Sequence, residues 1–462
     1  MDPSTASSSP QLYTRAFVIA VLGQSLFVMG NTLMIHHTRW VKSLGGTEYD
    51  VGCVMGFGAI VGLIVRPWMA QWINRIGARN MWGIGYLVFA VGSVSNLLVH
   101  DLNLSVYVVR TVFVFGGAIV FASSLTYVTQ ISPRERRTEA IGIVGAGGFI
   151  GMLIGPFLGD ILIQGQTLAA TAGISVTTGA LAFDLAATTG IGGPMVALVS
   201  GLTVTTGIGV VLQDFSSLFL LAGCSMILPG FLLLLLPATR LSEKPSTVKF
   251  RDFLRIIQDH WPGMILLVDI AFGLCMTVPF GFLATFIDVE QLVIPGVSVI
   301  GLYFWSYAGW GLTVRVGLRK LPAQVGRRKI LLVGMLFMTA GMFSYLLVDS
   351  SHAWLIMVPA FICGTGHALM FHTMTALTLE RFPYEVRGTG STFSLMALES
   401  GMTCGAPILG VIAHHTIPGD HNYYRMFVVL GIFVAGVMLL YFWSSIPVWK
   451  ERARVRRENL AD

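Results

Sequence analysis

The chain has 462 residues, of which 54% are apolar and only 11% are charged, and its mean hydropathy is +0.75. Water-soluble domains carry about a quarter charged residues, so this composition excludes a soluble globular protein. The net charge of +6 at pH 7 does not indicate a nucleic-acid partner, because the cations are spread over short loops and form no single basic face.

Twelve segments are long and apolar enough to cross ~30 Å of hydrocarbon as helices. The first six are predicted over residues 14–36, 50–73, 80–99, 104–131, 138–163 and 214–238. The second six are predicted over residues 261–288, 298–319, 328–349, 353–381, 387–415 and 423–448. The sequence therefore predicts an all-α membrane protein with an N-terminal tail over 1–13, a first bundle over 14–238, a linker over 239–260, a second bundle over 261–448 and a basic tail over 449–462.

Lys and Arg are unevenly distributed between the loops. With both termini in the cytoplasm, the loops on the opposite side contain only Arg39, Lys42 and Arg425 of the 29 cations. Acidic residues show no such bias, as expected from a topological rule that counts cations. We therefore expect a multi-pass protein of the inner (plasma) membrane with both termini in the cytoplasm.

A polar motif occurs twice in the chain. Three positions at the end of the second predicted helix recur at the end of the eighth with a constant offset of 249 residues: Arg66 and Arg315, Gly77 and Gly326, and Arg79 and Arg328. An offset close to half the chain indicates two duplicated six-helix halves.

This motif resembles that of the major facilitator superfamily, whose loop between helices 2 and 3 carries Gly-x-x-x-Asp-Arg-x-Gly-Arg-Arg. The family's aspartate is replaced by Asn74 in the first copy and by Ala323 in the second. The resemblance implies a cytoplasmic gate, with these candidate residues: Arg66, Asn74, Arg75, Gly77, Arg79, Arg315, Gly326, Arg327 and Arg328. The alternative is that the loop cations only orient the chain in the membrane.

Two further helices carry the resemblance. Arg110 with Gly116 fits the family's fourth-helix motif, and the drug and sugar efflux branch has a fifth-helix signature that is matched at Gly151, Gly155, Pro156 and Gly159. The final glycine of that signature is Asp160 here, and a fainter copy on helix 11 comprises Gly401, Gly405, Pro407 and Gly410. Glycines at four-residue spacing let helices approach closely, and proline permits a bend, so plain tight packing is the alternative interpretation.

The functional candidates among ionisable side chains at bilayer depth are Arg66, Arg110, Asp269, His367, His372 and Glu399. Each costs about 2.5–3.5 kcal/mol on insertion scales, which makes it a functional candidate. In the resembled family, helices 1, 4, 7 and 10 line a central cavity. The resemblance thus implies a substrate cavity at Gln24, Asn31 and Arg110, although Arg110 is equally well interpreted as an interhelical anchor.

Proton coupling is the role expected of Glu399, Asp269, His367 and His372, because desolvated carboxylates and imidazoles titrate near physiological pH. Asp269 has an alternative role as a hydrogen-bond partner of a neighbouring helix. The two histidines lie five residues apart, about 140° around a helix, so they cannot both point at one centre. For each of them, a structural hydrogen bond is the alternative.

No metal or other cofactor is expected. Histidines cluster at the predicted external helix ends (His36, His37, His414, His415 and His421), but no carboxylate or cysteine completes a ligand set, which favours interfacial caps. The five cysteines show no paired spacing.

An insertion over residues 164–213 lies between the fifth and sixth predicted helices and contains no Lys or Arg. Its segment 173–179 is echoed by 201–207, and their β-branched residues favour a small external β-structure. A re-entrant or additional helical hairpin is the alternative.

The resemblance implies a transporter with alternating access between two bundles. The fifth-helix signature favours export, so we expect a monomeric secondary active transporter, not an enzyme, that exchanges a small organic solute for protons. A proton-linked importer is the nearest alternative. A membrane sensor or membrane-embedded enzyme is a more distant one, since the sequence contains no phosphate-binding loop, nucleophile elbow or metal motif.

Overall fold

The structure is a computed structural model that describes residues 12–133, 136–171, 215–238, 250–318, 321–383, 386–414 and 422–461. Within these residues the secondary structure is helical, with one isolated antiparallel bridge between Ile294 and Val297 and no strand. The first six long helices are α1 Arg15–Ser43, α2 Glu48–Ile76, α3 Ala78–Leu98, α4 Leu104–Ile131, α5 Arg137–Thr171 and α6 Ser216–Leu234. The second six are α7 Ile265–Val289, α8 over 299–317, α9 Arg327–Leu347, α10 Ser350–Leu379, α11 Arg387–Ala413 and α12 Asn422–Ala461.

Eleven helices in the described part of the chain are long and apolar enough to cross a membrane. The twelfth predicted crossing, α8, consists of Val299–Phe304, a π-helical turn Trp305–Gly309 and Trp310–Gly317. Its tryptophans, tyrosines, glycines and Arg315 lower its hydropathy, which is why it does not stand out by composition. The prediction of an all-α membrane protein with twelve crossing helices is confirmed.

Contacts divide the chain into two compact units: unit 1 comprises Met1–Gly45 and Ile76–Leu241, and unit 2 comprises Gly46–Arg75 and Ser242–Asp462. By these contacts α2 belongs to unit 2, whereas by sequence it is the second helix of the first six. The domain boundaries drawn from the sequence stay a prediction. Within the predicted linker lies a helix, Phe250–Asp259, and α12 continues as a helix through the predicted tail to Ala461.

In unit 1, α3 packs against α4 and α1 against α5, with glycines where the backbones approach. A Cβ atom added to Gly85 on α3 would lie 2.9 Å from the backbone nitrogen of Val120. A Cβ atom added to Gly151 on α5 would lie 2.6 Å from the carbonyl oxygen of Ser25. Such distances leave no room for a side chain, so these glycines set the spacing of the helices.

Unit 2 repeats this arrangement with α9 against α10 and α7 against α11. A Cβ atom added to Gly366 on α10 would lie 3.0 Å from the backbone nitrogen of Met338. The same atom on Gly401 of α11 would lie 3.0 Å from the backbone nitrogen of Leu274. The helix pairs of the first half therefore recur in the second half, in agreement with the sequence repeat.

The fifth helix is longer than its predicted range, 138–163. Because α5 extends to Thr171, residues 164–171 of the predicted insertion continue the helix. The segments 173–179 and 201–207, for which β-structure was predicted, lie outside the described residues.

Candidate functional site

Arg66 on α2 and Glu399 on α11 form a bidentate ion pair within unit 2. Nε of Arg66 donates to Oε2 of Glu399 at 2.5 Å, and Nη2 donates to Oε1. The Arg66 side chain is 7% exposed and that of Glu399 is 22% exposed. Removing one partner of such a buried pair leaves the other charge uncompensated, so each residue depends on the other.

The same two helices pack closely along the turns that precede Arg66. A Cβ atom added to Gly410 on α11 would lie 3.2 Å from the Cα atom of Gly52 on α2. At the start of α2, Oε2 of Glu48 lies 3.5 Å from Nδ1 of His414. The contact between α2 and α11 thus extends from Glu48 to Arg66.

Asp269 on α7 is fully buried and is held by hydroxyl groups. Thr378 on α10 donates to Oδ2 of Asp269 at 3.2 Å, and Ser394 on α11 donates to the same oxygen at 3.1 Å. Oδ1 has no hydrogen-bond partner among the described residues. The predicted alternative role, a hydrogen bond to neighbouring helices, is therefore present, while a coupling role stays a prediction.

The two histidines of α10 contact different residues of α8, as their angular separation requires. Nδ1 of His367 lies 2.6 Å from the hydroxyl oxygen of Tyr307, and Nε2 of His372 accepts a hydrogen bond from Arg315. The two members of the repeated arginine pair, Arg66 and Arg315, thus have chemically different partners, a carboxylate and an imidazole.

The duplicated loop has the same backbone conformation in both copies. Gly77 and Gly326 precede α3 and α9 with φ angles of 89° and 101°, in the left-handed region that favours glycine. This shared conformation explains why the motif keeps a glycine at that position in each half.

The loop arginines contact helices of their own units. Arg79 donates to the carbonyl oxygen of Leu236, just beyond α6, at 2.8 Å. Its counterpart Arg328 donates to the hydroxyl of Ser445 on α12 at 3.5 Å, and Arg327 donates to Glu380 at 2.6 Å. Arg75 is exposed, and the side chains of Asn74 and Ala323 lie outside the described residues. Their gating role stays a prediction.

The cavity candidates of unit 1 lie at different levels of the helices. The side chain of Gln24 on α1 is 4% exposed. A Cβ atom added to Gly117 on α4 would lie 3.8 Å from Oδ1 of Asn31 on α1. Arg110 lies seven residues before Gly117, about 10 Å along α4, with its guanidinium carbon 4.9 Å from the Phe113 ring centroid. The backbone of Arg110 therefore lies about two turns along α4 from the level of Gly117 and Asn31.

A buried charged cluster in unit 1 was not predicted from the sequence. Nη1 of Arg39 donates to Oδ1 of Asp160 at 2.7 Å and to Nδ1 of His36 at 3.0 Å. Nε2 of His36 therefore carries the ring proton and donates to the carbonyl oxygen of Pro156 at 2.9 Å. The signal in the sequence was Asp160 itself, a charge where the family signature has glycine.

The fifth-helix signature makes room for this cluster. A Cβ atom added to Gly159 would lie 2.7 Å from Nε2 of His36. His36 and His37 are fully buried, so the prediction that they are interfacial caps is wrong. Nε2 of His37 forms a hydrogen bond with Oδ1 of Asn96 at 3.1 Å. His415 and His421 lie outside the described residues. Among the residues that the structure describes, no group of three or more His, Cys, Asp or Glu side chains could hold a metal ion.

The chain matches a family model over most of its length. Residues 16–188, 182–406 and 323–457 match the model described as Major Facilitator Superfamily. The chain is also similar to MdtD of Cronobacter sakazakii, a protein named for multidrug resistance. That similarity amounts to 24% identity over 456 residues, which cover 91% of this chain and 92% of that protein.

Solved transporter structures share the fold. The crystal structure of a bacterial homologue of the human lysosomal transporter Spinster, in an inward-facing and unoccupied conformation, has a TM-score of 0.68 at 15% identity, covering 96% of this chain and 99% of that one. The crystal structure of a D-xylose–proton symporter has a TM-score of 0.64 at 14% identity, covering 90% and 96%.

Proposed function

Since the chain belongs to the Major Facilitator Superfamily, it is a multi-pass membrane transport protein, and we propose that it exports a small organic solute in exchange for protons by alternating access. The observation that carries the coupling part of this proposal is the ion pair between Arg66 and Glu399. It joins a helix of the first sequence half to a helix of the second. A group that makes or breaks this ion pair therefore controls a contact between a helix of the first repeat and a helix of the second.

Protonation of Glu399 would weaken the link. The carboxylate is partly exposed, so a proton can reach it, whereas Arg66 is buried and keeps its charge. A neutral Glu399 leaves Arg66 without its ionic partner, and breaking a buried pair in this way costs about 3–5 kcal/mol. That free energy is large enough to shift a two-state equilibrium by a factor of about 100 or more. Proton binding would thereby release α2 from α11.

Asp269 is the second candidate for proton binding. No ion pair to it occurs in the described part of the chain, and its two hydroxyl partners donate to the same oxygen. A bound proton would remove a buried charge that these hydroxyls compensate only in part. Glu399 and Asp269 thus offer two different ways to couple a proton to helix movement in unit 2.

The direction of transport is supported by the fifth-helix signature and by the similarity to MdtD. Import is the second candidate, and the fold shared with a proton symporter favours it. Counterflow measured in inverted and in right-side-out vesicles separates the two directions, and reporters fused to each terminus test the expectation that both termini are cytoplasmic.

Coupling is tested in proteoliposomes loaded with a pH-sensitive dye. With a transported solute found by screening a metabolite and drug panel, wild-type protein should move protons against solute flux. Glu399→Gln should abolish proton movement, and Asp269→Asn should do so if that carboxylate is the coupling group. Asp259→Asn is the matched control, because it removes a carboxylate from an exposed pair with Arg255 outside the membrane. Unaltered proton-coupled flux in both Glu399→Gln and Asp269→Asn would remove the coupling assignment.

A further inference from the structure

Two helices of unit 2, α8 and α10, share a seam of polar side chains. Tyr307 and Arg315, about two turns apart on α8, contact His367 and His372 on α10. Each of these contacts joins a ring nitrogen to a side chain of α8. The seam therefore holds both imidazoles against α8.

The protonation pattern of His372 follows from its partner. A guanidinium group can only donate hydrogen bonds, so Nε2 of His372 accepts from Arg315 and the ring proton is on Nδ1. Nδ1 is buried and has no hydrogen-bond partner among the described residues. A buried donor without an acceptor is unfavourable, so the contact of Nε2 with Arg315 is the hydrogen bond that holds this ring.

The seam is only partly covered by protein. Arg315, His367, Phe371 and His372 are each partly exposed. Exposure of a guanidinium group and two imidazoles to lipid tails would be costly, so we expect their open edge to face water. A solute in that water can reach the exposed part of the Arg315 guanidinium.

Aromatic rings lie directly beside these polar groups. The Phe272 ring on α7 is 5.3 Å from the His367 ring and 6.1 Å from the Phe371 ring, and Phe371 is 5.2 Å from His372. Aromatic groups bind best in such offset and edge-to-face arrangements. Phe272 is buried and Phe371 is partly exposed, so the Phe371 ring is the apolar surface beside the cationic end of the seam.

We propose that this surface, the α8–α10 site, binds an amphipathic aromatic carboxylate. The site is formed by the partly exposed Arg315, His367, Phe371 and His372, and the buried Phe272 and Tyr307 lie behind it. The ligand carboxylate accepts hydrogen bonds from Arg315, which is held by Nε2 of His372, while the ligand ring lies against Phe371. This inference rests on the proposed transport function for its role as a substrate site. It assigns His372 and Arg315 to recognition of the solute.

Binding of 2-naphthoate to the purified full chain, measured by calorimetry, tests the site without any gradient. Wild-type protein should bind 2-naphthoate about 10- to 100-fold more tightly than the uncharged 2-naphthamide, because hydrogen bonds to a charged group are the stronger ones. Arg315→Gln and His372→Phe should remove this preference, and Arg315→Lys should retain part of it. The matched control is Arg255→Gln, an exposed cation on the linker helix, which should bind like wild type.

Equal affinity of wild-type protein for the two compounds, or no binding of 2-naphthoate, would overturn the site and needs no variant that folds poorly. A preference that survives in both Arg315→Gln and His372→Phe would overturn it as well. The proposed transport function fails separately, if no solute of any charge moves in proteoliposomes. Proton-coupled transport of uncharged solutes with no naphthoate preference would refute the α8–α10 site alone.

Discussion

The pair α1 and α5 in unit 1 and the pair α7 and α11 in unit 2 are built on the same glycine spacing but treat buried charge differently. In unit 1 the carboxylate of Asp160 is neutralised by the guanidinium of Arg39 at 2.7 Å. In unit 2 the carboxylate of Asp269 receives two hydroxyl groups. Duplication has thus kept the backbone packing, while the polar side chains beside it have diverged.

The difference has a consequence for movement. A carboxylate held by a buried cation is strongly bound to its neighbour, whereas one held by hydroxyls can gain a proton without leaving a cation unpaired. The ion pair between Arg39 and Asp160 therefore holds α1 against α5, whereas on α7 we propose Asp269 as a group that binds a proton.

The largest expected effect comes from Arg39→Met, which leaves Asp160 buried without its cation. The free energy of unfolding should fall by about 3–5 kcal/mol, and Arg39→Met combined with Asp160→Leu should recover most of the loss. The comparison in unit 2 is Thr378→Val, which removes one hydroxyl from Asp269 and should cost about 1 kcal/mol. Unfolding titrations in detergent micelles measure all four proteins. An equal decrease in the free energy of unfolding in Arg39→Met and Thr378→Val would contradict the proposed difference between the two units.

An intermediate effect should be common to both units. Gly151→Ala places a Cβ atom 2.6 Å from the carbonyl oxygen of Ser25, and Gly401→Ala places one 2.9 Å from the carbonyl carbon of Ile270. Overpacking of this kind costs about 1–3 kcal/mol, so both variants should unfold more readily. Gly436→Ala on α12 meets no atom within 4 Å and should be neutral or slightly stabilising. If only one of the two variants were destabilised, the shared packing would be refuted.

The smallest effect concerns the residues that begin α4 and α10. Asn103 accepts a hydrogen bond from the backbone of Ser105 at 2.8 Å, and Asp349 accepts from Ser351 and His352 at 2.8 Å each. Partial burial raises the pKa of Asp349, but the hydrogen bonds from His352 and Ser351 outweigh it, so that its pKa lies below the usual value. A carboxylate with a lowered pKa stabilises the fold above its unfolded pKa of about 3.9, and this contribution is lost as the pH falls through its folded pKa.

Melting curves between pH 3 and pH 7 test this difference between the caps. Asp349→Ala should lower the melting temperature near pH 7, and the gap to wild type should narrow toward pH 3. Asn103→Ala should lower it by an amount that does not change with pH, because an amide does not titrate. A constant gap for Asp349→Ala would show that the charge of the cap has no role.

The helices themselves were predictable because a membrane span is a local property. A lipid-crossing segment must be apolar over about 20 residues and must satisfy its own backbone, so hydropathy alone locates it. The fourth helix was predicted over 104–131 and is observed at Leu104–Ile131. Hydropathy identifies α8 less clearly, because this helix contains polar and aromatic residues. The linker helix Phe250–Asp259 was not predicted, because hydropathy locates only helices that cross the membrane.

The sequence by itself determined the twelve apolar segments, the repeat at 249 residues and the scarce ionisable groups within the helices. Only the tertiary structure decided which groups meet: Arg66 with Glu399, Asp160 with Arg39, and His372 with Arg315. Hydrophobic periodicity states which face of a helix is buried, but it does not state which neighbour lies against that face. Partners separated by tens to hundreds of residues are selected by the packing of whole helices, and a sequence read alone carries no measure of that packing.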